Sequence, residues 1–69
     1  METKEALELL NVLREDLELE LDMETKFLNI LLETEDKEIR AKIVEILGDI
    51  SSHSTQLIKK SNEIQKKFL

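Results

Sequence analysis

The run IRAKIVEILGDISSHSTQL, from Ile39 to Leu57, decides the fold. Ile39, Ile43, Ile46, Ile50, His53 and Leu57 recur at spacings of 4, 3, 4, 3 and 4, the seam of an amphipathic helix that packs on another helix. The only histidine of the chain falls on that seam. An imidazole standing where the pattern asks for Leu or Ile is either a core residue with one hydrogen-bond partner or a ligand. What faces it decides between the two.

Working outward toward the N-terminus, a second seam runs through Ala6, Leu10, Leu13, Leu17, Glu20, Glu24, Phe27 and Leu31, again alternating 4 and 3. It predicts one helix over about 2–33 with two carboxylates on its inner stripe. Glu33 to Glu38 interrupts the period, and Thr34 or Asp36 offers an N-cap with acids in the following turn, so the turn is expected at about 34–36. The second helix is expected over about 36–67, its seam continuing through Ile64 and Phe68, with Lys59, Lys60, Lys66 and Lys67 suited to its C-terminal end. Gly48 lies inside it and marks either close helix approach or a tolerated defect costing about 1 kcal/mol.

Folding the chain back at the acidic turn sets Leu31 opposite Ile43, Phe27 opposite Ile46, Glu24 opposite Ile50, Glu20 opposite His53 and Leu17 opposite Leu57, the paired numbers adding to 73 or 74. One antiparallel hairpin satisfies every seam position. Further apolar rows flank the first seam: Leu9, Val12, Leu19, Met23 and Ile30 on one side, Leu7, Leu21 and Leu28 on the other. Two helices cannot cover faces this wide. The expectation is an all-α single domain, an antiparallel helical hairpin that dimerises into a four-helix bundle, hence a homo-oligomer of at least two chains.

Composition limits the partners. The 69 residues carry a formal charge of −6 and no cysteine, so a nucleic-acid partner is not expected, and neither disulfides nor thiolate metal sites are available. The longest unbroken apolar run is Ile30-Leu31-Leu32, and no charged-then-apolar leader opens the chain. A soluble, cytoplasmic protein without a membrane span or processed targeting segment is expected. Ten acids and three bases fall in 1–34, against six acids and seven bases in 35–69, a complementary bias between two solvated helix faces.

Glu20, Glu24 and His53 are the polar groups at central seam positions, and buried carboxylates are costly unless paired, hydrogen-bonded or metal-bound. Four residues apart on one helix, Glu20 and Glu24 can converge at the level of His53. In a two-fold dimer the set doubles to four carboxylates and two imidazoles, a donor set suited to iron, manganese or zinc. Equally, Glu20 and His53 can form a buried pair that fixes register while Glu24 reaches solvent along its aliphatic stem. Ser51, Ser52 and Ser54 lie near His53 but lack an oxyanion hole or a glycine-rich turn, which argues against hydrolase chemistry.

The run from Glu20 through Glu33-Thr34-Glu35-Asp36-Lys37-Glu38-Ile39-Arg40 to Asp49-Ile50-Ser51-Ser52-His53-Ser54 resembles one half of a rubrerythrin or ferritin-like protein, particularly the half-size ferritins of encapsulin compartments. The resemblance covers about Leu17 to Leu57. It implies a ferritin-like four-helix bundle in which Glu20 matches the first-helix ligand and His53 the histidine of Glu-x-x-His, around di-iron or manganese. The sequence departs from the family at Ile50, where that motif has its bridging Glu, and at Phe27, where many members have Tyr. Glu24, commonly apolar in the family, lies opposite Ile50 in the hairpin register, so carboxylate and aliphatic group can have exchanged helices. The resemblance therefore implies a small metal-binding protein that oxidises or handles iron through Glu20, Glu24 and His53. The competing expectation is a non-catalytic dimerisation or interaction module that has lost the metal, and a third is docking on an encapsulating or other partner protein.

Overall fold

The computed structural model describes residues 2–69 and consists of two helices, α1 (Thr3–Glu33) and α2 (Lys37–Phe68), folded against each other as a hairpin. Across its Cα atoms it measures 51 × 15 × 11 Å, little longer than the roughly 46 Å rise of a 31-residue helix. No helix among the described residues is long and apolar enough to cross a membrane.

Local chemistry fixes the ends. Glu2 precedes α1 in extended backbone without a side-chain cap, and its carbonyl accepts from Ala6 N–H at 2.9 Å. At the other end Thr34 N–H closes on Ile30 O at 2.9 Å, and the last turn of α1 contains no basic residue. Arg40 supplies that charge from α2: one guanidinium nitrogen donates to Leu31 O and, at 2.8 Å, to Thr34 O. It thereby satisfies C-terminal carbonyls that no helical N–H reaches and complements the negative end of the dipole. Asp36 caps α2, its Oδ1 accepting from Glu38 N at 2.9 Å and Ile39 N at 3.0 Å, two of the orphan donors at a helix start. The three residues 34–36 connect the helices.

The core is thin. Ala6, Ile43 and Leu57 are buried, and the rest of the seam is half-buried. On α1 this inner row is Ala6, Leu10, Leu13, Leu17, Glu20, Glu24, Phe27 and Leu31. On α2 it is Ile43, Leu47, Ile50, Ser54, Leu57, Ser61, Ile64 and Phe68, which corrects the expected seam at three places. Ile39, Ile46 and His53 are exposed, one row off the contact, and Leu47 and Ser54 take the inner positions. The reason at the centre is polar: Ser54 in the inner row donates to Glu20 Oε2, and His53 reaches Oε1 from the flank. Gly48 does not mark close approach to α1, since a Cβ built there meets nothing within 4 Å.

In an antiparallel pair each broad side of the hairpin is bordered by one flanking row from each helix. One face carries Leu9, Leu19, Met23 and Ile30 of α1 with Ile39, Ile46 and His53 of α2. The opposite face carries Leu7, Leu21 and Leu28 with Val44 and Ile58. Every one of these apolar side chains is exposed.

Candidate functional site

Glu20 is the eighteenth of the 31 residues of α1 and His53 the seventeenth of the 32 of α2, so both sit at mid-length. Their side chains meet: His53 Nδ1 donates to Glu20 Oε1. The second carboxylate oxygen, Oε2, accepts from Ser54 Oγ at 2.9 Å. The Glu20 side chain is only 15% exposed, whereas that of His53 is 52% exposed. The carboxylate is thus held between the helices, and the imidazole lies across it with one edge in water.

These contacts act on the Glu20 carboxyl in opposing ways. The hydrogen bond from His53 is the strongest influence and draws its pKa below the ordinary value of 4.5; desolvation between the helices pushes the other way, and the Ser54 hydroxyl and the charge of His53 add to the lowering. The net effect is a carboxylate that stays ionised at neutral pH, with both oxygens occupied by protein donors.

Glu24 lies one turn further along α1, half-buried and in line with Ile50. It joins neither contact. Among the described residues no group of three or more His, Cys, Asp or Glu side chains converges in a way that could hold a metal ion. Glu20 and His53 are therefore brought together and Glu24 is not. Within one chain the Glu20 oxygens are engaged by His53 and Ser54, and position 50 presents an alkyl group.

Nor does the site activate a nucleophile. Ser54 donates to the carboxylate rather than to the imidazole, so His53 cannot draw off its proton as a triad requires. Compared with family models, curated proteins and solved structures, the chain matches none. The roles of these residues rest on their own geometry.

Two contributors escape the sequence reading. Ser54 is the second partner of Glu20, and its signal is the pair sum of 74 shared by the inner row. Arg40, which pins the turn, carries no periodic signal at all.

Proposed function

We propose that the chain is a ferritin-like helical hairpin whose work is self-association. Two hairpins pack through the broad face that carries Met23, Ile46 and His53, closing a four-helix bundle. The Glu20–His53–Ser54 cluster fixes the register of the hairpin at mid-length, the role best attested for polar groups on a helical seam.

One observation carries this reading. The chain exposes 5532 Å², whereas a compact monomer of 8.1 kDa exposes about 4,500 Å². The surplus of about 1,000 Å² is the scale of one partner's share of a stable interface. Its chemistry agrees, since among the described residues fourteen large apolar side chains are at least 36% exposed, far beyond the scattered apolar residues of an ordinary monomer surface. The cytoplasmic assignment drawn from the cysteine-free composition goes with this reading.

The test is the mass in solution of the parent and of a Leu19→Lys, Met23→Lys variant. Both substituted positions are exposed in the hairpin, so the helices persist while charge enters the interface. The bundle reading requires that the variant lose a partner.

A second reading has one observation in its favour. Glu20 and His53 face each other at the middle of the hairpin, so a two-fold axis through that level doubles the carboxylate and imidazole set. Glu20, Glu24 and His53 of two chains then bind iron or manganese, or another divalent metal, between hairpins. Elemental analysis of the purified protein tests this, together with iron or manganese titration of Glu24→Ala against the parent. Equal uptake by the two leaves Glu24 without a role.

A further inference from the structure

Between the helices, in the half of the hairpin away from the turn, lies a cavity of about 280 Å³ that opens to solvent. Leu10, Asn11, Arg14 and Leu17 line it from α1, and Ser61 and Gln65 from α2. Leu10 and Leu17 are half-buried members of the inner row and make its apolar lining. Ser61 is the small side chain of the inner row at this level, its hydroxyl proton committed to Leu57 O at 2.8 Å. The size approaches the roughly 300 Å³ at which small-molecule sites begin, and the lining has their composition, apolar walls with a few polar groups.

Arg14 is the one charged group of that lining. It is also the only base between Lys4 and Lys26, a stretch that holds eight acids. Glu18 stands four residues on, a spacing at which the two can pair. They do not: among the described residues the ion pairs are Lys26–Asp22 and Glu20–His53, and Arg14 has no carboxylate partner. The surroundings tolerate an anion. The bordering stretches 7–17 and 57–67 carry four acids and five bases, against twelve acids and five bases in the rest of the chain.

We propose that this cavity binds a small organic acid, its carboxylate on Arg14 and its apolar tail on Leu10 and Leu17. A guanidinium presents paired N–H donors that match a carboxylate, and the carboxamides of Asn11 and Gln65 have donors for the same oxygens. One cation suits one negative charge, whereas a phosphate dianion leaves a charge uncompensated in a chain of net charge −6. Asn11 and Arg14 continue the row of Leu7 and Leu21, on the face opposite Met23 and His53. The inference therefore goes beyond the bundle reading and does not rest on it.

NMR titration of the full chain with octanoate tests it, with octanol as the uncharged probe of the same tail. Octanoate at millimolar concentration should shift the amides around 10–17 and 61–65, and octanol should bind about tenfold more weakly. Arg14→Gln, at an exposed position, should lower octanoate affinity to that of octanol and leave octanol unchanged, with circular dichroism confirming that the helices persist. Equal affinity of the two probes for the parent overturns the inference, as does an Arg14→Gln variant that keeps the parent's octanoate affinity. So do shifts centred on Met23 and Ile46 instead of the cavity, or no shift up to about 10 mM. The bundle reading stands or falls separately, by the mass of Leu19→Lys, Met23→Lys.

Discussion

Glu20 and His53, thirty-three residues apart in sequence, touch at the middle of the hairpin with the carboxylate sheltered and the imidazole half in water. The contact specifies one alignment of two long helices, because sliding either by a turn leaves a half-buried carboxylate without its donors. The first prediction follows from its titration. The folded-state pKa of Glu20 lies below its ordinary value, so its stabilising contribution is complete above that value and is lost as the pH falls through the folded pKa. At fixed protein concentration, the melting-temperature gap between the parent and Glu20→Gln should narrow as the pH falls below the ordinary carboxylate value of 4.5. A gap that widens on acidification contradicts the pairing.

The turn is held from both sides, and each side can be removed separately. Asp36→Ala strips two backbone donors of their acceptor and should cost about 1 kcal/mol, with Asp36→Ser recovering most of it. Urea unfolding at one protein concentration reads both.

Arg40→Ala removes the two bonds to Leu31 O and Thr34 O. The residue is exposed, so the expected loss is modest, about 1 kcal/mol. Lys should restore part of it through charge alone, since it lacks the planar guanidinium. Full recovery by Lys would mean that charge at the helix terminus, rather than the pair of bonds, carries the effect.

The thin core makes a sharp contrast between positions. Leu57, 7% exposed, should cost about 2–4 kcal/mol on substitution by Ala, and Leu32, 82% exposed, less than about 0.5 kcal/mol. Chemical denaturation of the two variants separates a packed interior from a merely apolar composition.

Much of this architecture is legible in the sequence, and the limits are physical. The α1 row from Ala6 to Leu31 repeats without ambiguity, and the turn lies where that period is interrupted and Asp36 stands ready to cap. The pairing of Glu20 with His53 follows from antiparallel register alone. The phase of α2 does not. Ile46 and Leu47 are both apolar, and neither His53 nor Ser54 declares itself interior by hydrophobicity. What distinguishes them is visible only once the two helices are set against each other, where Ser54 bonds Glu20 from the inner row and His53 from the flank. Glu24 does not share in the bond between Glu20 and His53, since equal level on a seam does not by itself aim two side chains at one point.

Self-association is read from the mass of the purified chain in solution. Light scattering at micromolar concentration should return at least twice the 8.1 kDa of one chain, falling when Lys replaces Leu19 and Met23. A parent mass of 8.1 kDa, unchanged up to about 100 µM, contradicts the account.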